Sequence, residues 1–302
     1  MVLARLVRAI GIGVAFAAAS RGAVAPDAPA KAKQILWVDG VKNAYPRWSK
    51  DGTRILYESN RTGKWQLYVM DADGSHDRAL TSGGADNQLP DWSPDNAEIA
   101  FVSNRDGNDE IYVMREDGSG LRNLSNSPAR DIHPYWSPDG AWILFNSDRD
   151  ARTLQVYEVR PDGTGLRRLA VSEGEETCAR VSPRGDAIVL LANLKGGRDD
   201  VLLRRRDGSS PVNLTHDAAA DGWPTWTPDG RRIVYASQRS GPFALHSMKP
   251  DGSDVRQLTF PEKPFFDARP SVSPDGRRIV FNRQKGETIG IFVTDLPPGA
   301  SR

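Results

Sequence analysis

One turn, Ser-Pro-Asp-Gly or a near variant, recurs six times, with its first residue at Ser49, Ser93, Ser137, Ser182, Thr227 and Ser273. The intervals are 44, 44, 45, 45 and 46 residues. A period this constant ties the chain to a repeat architecture, in which each unit buries its apolar face against its neighbours. In the second copy Leu89-Pro90-Asp91-Trp92 leads into the turn. Ile99-Ala100-Phe101-Val102-Ser103, Ile111-Tyr112-Val113-Met114 and Arg122-Asn123-Leu124-Ser125 follow. Short runs of β-branched and aromatic residues favour strands. Pro fixes φ within the first turn and Gly accepts the left-handed geometry that ends it. Asp-Gly pairs at 73–74, 117–118, 162–163, 207–208 and 251–252 mark a further hairpin in each of the first five units. Four short strands per unit at this spacing predict an all-β, six-bladed β-propeller over residues 34–296, followed by a tail at 297–302.

The register also predicts how the ring closes. Leu80, Leu124, Leu169 and Leu214 each stand ten residues before the next copy's Pro90, Pro134, Ala179 or Pro224. The sixth copy runs from Ile291-Phe292-Val293-Thr294 to Pro297-Pro298 without such a strand, whereas Leu36 stands ten residues before Pro46. Residues 34–38 are therefore expected to complete blade six, covering two edges that would otherwise invite aggregation.

Arg5 and Arg8 precede the apolar run Ala9 to Ala19, and small residues continue to Ala25. Eleven apolar residues are too few for a bilayer span, which needs about 20. The order predicts a signal peptide at 1–25, cut after Ala25 or after Ala19, a flexible leader at 26–33, and a periplasmic or secreted protein with no membrane insertion afterwards. Its removal takes Arg5, Arg8 and Arg21 and no acidic residue, moving the formal charge from +1 to −2. That balance argues against a nucleic-acid partner, which requires a clustered basic surplus. One cysteine, Cys178, excludes an intramolecular disulfide, and the four histidines show no HExxH or HxH spacing. Cys178 reads as a small buried apolar residue, with no histidine near it in sequence or repeat register.

Pro-x-Trp-Ser-Pro-Asp-Gly, Ile-x-Phe-x-Ser-x-Arg-x-Gly, Ile-Tyr-Val-Met, Asp-Gly and Arg-x-Leu-Thr, in that order, resemble the TolB-type propeller repeat over residues 34 to about 296. The resemblance is to the propeller alone, without the α/β domain that precedes it in TolB. It implies a binding propeller; the same repeat also occurs in propellers attached to peptidases and in stand-alone exported proteins.

Trp48, Trp92, Trp136 and Trp226, with Val181 and Val272, share one repeat position and are expected to pack between blades. Ser59/Arg61, Ser103/Arg105, Ser147/Arg149 and Ser237/Arg239, with Lys285 in the sixth copy, are expected to brace the loop after the second strand. Asp71-Ala72-Asp73-Gly74 reads as a hairpin rather than a calcium loop. Three residues before the Pro column stand Asn43, Asn87, Asp131, Glu176, Asp221 and Asp267, all Asn or acidic. Immediately before Pro stand Tyr45, Leu89, His133, Cys178, Trp223 and Arg269, which vary completely. Together these columns predict a channel mouth for a protein or peptide partner with a basic segment, unless each acidic residue pairs with its own loop arginine. No cofactor is expected, although calcium could occupy an acidic ring. The favoured reading is an exported, non-catalytic, monomeric binding scaffold. A histidine-metal lyase for acidic sugars and a substrate-gating partner of a peptidase or transporter stand as alternatives.

Overall fold

The computed structural model describes residues 31–150, 153–169, 174–194, 198–206, 211–216 and 218–297. The expected signal peptide, leader residues 26–30 and tail residues 298–302 lie outside the described residues. Six antiparallel four-stranded sheets follow one another around a central axis. Their innermost strands are Asn43–Trp48, Asn87–Trp92, Asp131–Trp136, Glu175–Val181, Asp221–Trp226 and Phe266–Val272, one per blade.

The repeated turn explains its own composition. In blade two the Ser93 hydroxyl donates to Asp95 Oδ1 at 2.6 Å and accepts the Glu98 N–H at 2.9 Å, so hydroxyl and carboxylate together satisfy a turn too short for strand pairing. In blade four Arg184 occupies the aspartate position, and Asp186 supplies the carboxylate to Ser182 at 2.6 Å instead. At Asp71–Ser75 the chain forms the expected hairpin, with Gly74 at φ +96°.

Each Trp or Val of the shared position packs onto the preceding blade. Trp92 lies among Leu56, Leu67 and Val69 of blade one, and Trp48 lies against Val280, Ile291 and Val293 of blade six. The aromatic stripe is thus inter-blade core rather than a sugar platform.

In the sixth sheet Lys33–Leu36 pairs antiparallel with Thr288–Asp295, matching Gln34 with Phe292 and Leu36 with Ile291. The strand ends before 37–38, where the chain leaves for a turn in which the Val41 N–H donates to the Val38 carbonyl at 3.1 Å. Trp37 packs edge-on against Phe265 and Phe292, each 6.1 Å away. Gly290 is required there: a Cβ would come within 2.5 Å of the Trp37 ring and 2.7 Å of the Leu36 carbonyl.

Candidate functional site: two mouths on one closed channel

The Asn/acidic column does not form an open ring. Asn43, Asn87, Asp131, Glu176, Asp221 and Asp267 are all 2% exposed or less. Burying a carboxylate is costly unless it is paired, and each is paired within its own blade. Arg149 donates through Nε to Ser147 Oγ at 2.9 Å and through Nη2 to Asp131 at 2.8 Å. Arg105 and Arg239 repeat the fork toward Asn87 at 2.8 Å and Asp221 at 3.4 Å. In blade six Arg283 performs it, holding both oxygens of Asp267 at 2.7 and 2.8 Å, while Lys285 lies over the Phe265 ring. Arg204 reaches Glu176 from the third strand of blade four. In blade one Arg61 turns to Asp77 and the Tyr57 hydroxyl, leaving the Asn43 amide buried. Burial holds Asp131 and Asp267 above the ordinary carboxylate range despite the pull of Arg149 and Arg283. The column is therefore a set of internal loop braces, which removes the ground for a cationic partner segment. Calcium does not fit either. The carboxylates are engaged by guanidinium groups, and among the described residues no three metal-binding side chains gather.

The column before Pro does reach the axis. All six residues, Tyr45, Leu89, His133, Cys178, Trp223 and Arg269, have left-handed backbones with φ between 49° and 56°. Each lies where the inner strand slips register against its neighbour, as between Ala44 and Arg47. The conformation costs about 1–3 kcal/mol at each such residue and persists only where its surroundings impose it. Part of the imposition comes from the preceding blade. Asn282 Oδ1 accepts the Tyr45 N–H at 3.0 Å, Asn146 Oδ1 accepts that of Cys178 at 3.2 Å, and Glu58 accepts that of Leu89. These three residues escaped the sequence reading. Their signal is a polar residue where the other blades carry Val102, Leu191 and Ala236.

On the axis, the Arg269 guanidinium lies over the rings of Tyr45 (4.6 Å) and Trp223 (4.9 Å), and Tyr45 faces His133 at 6.4 Å. His133 also neighbours Cys178, so a histidine does stand beside the cysteine, contrary to the sequence expectation. Burial pushes the thiol up, but His133 and Arg180 outweigh it and lower its pKa. Glu58 is pushed up to about 7 by burial, partly opposed by the Leu89 amide and by Arg269. Between the mouths, the space among Tyr45, Arg47, Cys178, Arg180, Trp223 and Arg269 shrinks to about 10 Å³, scarcely one water. The Cys178 thiol beside this narrow space is buried.

A groove of about 600 Å³ opens at the mouth where the inner strands begin, between blades five and six. Trp223, Phe243, Phe265 and Phe266 line it, with Lys263 and Arg269 as its cations. Trp223 and Phe243 meet edge-to-face at 5.6 Å. The other histidines do not join His133. His246 is buried against Ser240 and the Ala244 carbonyl, His76 pairs with Asp71 on the surface, and His216 is exposed. Among the described residues no helix is long and apolar enough to cross a membrane.

The sheet order defines a six-bladed propeller whose inner strands bring side chains of different blades together on the axis. The sequence profile of the TolB beta propeller domain matches residues 86–203 and 190–302, and the chain belongs to that family. TolB from Acinetobacter baumannii superposes with a TM-score of 0.67 at 25% identity, over 76% of this chain and 56% of that one. A putative TolB from Agrobacterium tumefaciens gives 0.66 at 25% identity, over 85% and 91%. Dipeptidyl-peptidase 5 of Porphyromonas endodontalis is 33% identical over 84 residues, which is 26% of this chain and 12% of that peptidase. The chain thus spans only a small part of that curated relative and about half of the first TolB.

Proposed function

We propose that the protein is an exported, non-catalytic scaffold whose aromatic groove between blades five and six docks a peptide segment of a protein partner. The observation that carries this reading is the groove itself. Four aromatic side chains are gathered on one partly open surface beside an arginine stacked on Tyr45 and Trp223. Aromatic residues and arginine dominate interface energetics. Kinship with TolB propellers supports a binding role, and among the described residues the four histidines lie apart from one another.

Peptides selected from a displayed random library against the folded protein should share an aromatic or long aliphatic anchor. Trp223→Ala and Phe265→Ala should each weaken them about tenfold or more, as truncating an interface anchor does. Selected peptides that bind the double variant as well as the parent would move the interface elsewhere. Export is tested separately: N-terminal sequencing of the secreted product should find a start between residues 20 and 31, and recovery of an uncleaved cytoplasmic chain would refute it.

A further inference from the structure

At the opposite end of the inner strands a funnel of about 310 Å³ opens, the lower end of the range for small-molecule pockets. Its rim is made by the repeated turns. Pro94, Pro138, Pro183, Pro228 and Pro274 supply five positions, and Lys50 takes the sixth, because blade one alone lacks the proline. Trp48, Val181, Trp226 and Val272 form apolar walls, and the residue after each Pro-column position forms the floor.

That floor gathers two buried guanidinium groups. Arg180 is 7% exposed, lies over the Tyr135 ring at 4.4 Å, and donates to the Ala179 carbonyl at 3.1 Å. Arg47, with 12% of its side chain exposed, has Asp91 as its nearest carboxylate, 3.7 Å from Nε and too long for a hydrogen bond. Asp91 Oδ2 is already occupied by the Trp136 N–H at 3.0 Å, and Nε of Arg47 is buried without an acceptor. The two guanidinium groups thus lie close enough to repel one another in a site largely withdrawn from water, where Asp91, Glu58 and the Cys178 thiol act on Arg47 without a hydrogen bond to its Nε. Burial, followed by the like charge of Arg180, pulls Arg47 down to about 10. An unpaired buried cation is expensive, and a planar guanidinium fork matches an oxyanion in shape as well as charge.

We infer that this funnel is a binding site for an oxyanion, a carboxylate or phosphate, carried on a small apolar or ring-shaped body, with Arg47 and Arg180 holding the anion. The walls of Trp48 and Trp226 take the body, and Thr225 and Ser271 on the floor offer hydroxyl groups. This site lies across the constriction from the aromatic groove, so the two ligands do not compete for space.

The test titrates the full mature protein at low salt with benzoate, phenyl phosphate and the neutral benzamide, read by calorimetry. Acetyl-glycyl-phenylalanine is added with its C-terminus free or amidated. Benzoate or phenyl phosphate should bind saturably, and benzamide at least about tenfold more weakly, the factor expected when a charged hydrogen bond is lost. The stronger of the two anions identifies the head group, and preference for the free dipeptide over its amide points to a polypeptide C-terminus as the source. Arg180→Gln should abolish the anion preference, and Arg180→Lys should recover only part of it. Absence of saturable binding below about 10 mM for every anion would overturn the inference. So would equal affinity for benzoate and benzamide, a comparison that needs no variant and stands even if Arg180→Gln fails to fold.

Discussion

A chain shortened to begin after Gly40 is expected to lose most of the roughly 5–15 kcal/mol that stabilises a typical domain. The deletion removes Lys33–Leu36 from the outer edge of blade six and strips Ile35, Leu36 and Trp37 from the apolar clusters they complete. It also leaves the backbone of Thr288–Asp295 unpaired along one side, and Phe265 and Phe292 lose their shared aromatic neighbour. An open edge beside exposed aromatics should promote association as well as unfolding. Thermal melts and light scattering of the shortened and full mature chains measure both effects. If the shortened protein melts within a few degrees of the full one and stays monomeric, the closing strand contributes little to the ring.

Stability should also fall as pH rises from about 4.5 to 7, through Glu58. Its carboxyl is pushed up to about 7 by burial, although the Leu89 amide, Arg269, His133 and Arg47 favour its charged form. Between the unfolded value of 4.5 and the folded value of about 7, the native state holds a proton that the unfolded chain has released. The stabilisation is therefore complete below pH 4.5 and disappears as pH passes through 7. The gap amounts to roughly 3 kcal/mol at most. Glu58→Gln keeps an oxygen to accept the Leu89 N–H and abolishes the titration. The variant should match the parent near pH 4.5 and exceed it increasingly toward pH 8 in chemical denaturation. A difference that does not change with pH would show that Glu58 does not titrate in this window.

Much of the architecture was legible because it repeats. The turn at Ser49 and its five successors, the Trp column and the ten-residue offset of Leu36 each encode a local relation that every blade restates. The Asn/acidic column was legible as a position but not as a role. Whether Asp131 faces the channel or Arg149 of its own blade depends on side-chain direction at one strand residue, which a single slip of register reverses. Arg283 and Arg204 show the same limit, since Arg283 supplies the brace from the serine position of the Ser-x-Arg motif and Arg204 from outside it.

The left-handed column was hidden for a different reason. Five of its six members precede proline, which locally favours an extended backbone, and none is glycine. Sequence by itself determined the number of blades, the order of strands and the residues that pack between sheets, because those follow from short-range period and turn chemistry. Only the tertiary structure decided what meets on the axis. Each blade contributes one bulged residue and one floor residue, so His133 beside Cys178, Arg269 between Tyr45 and Trp223, and Arg47 with Arg180 are encounters across blades. No local preference specifies such encounters; the radius of the closed ring and the backbone strain it sustains do.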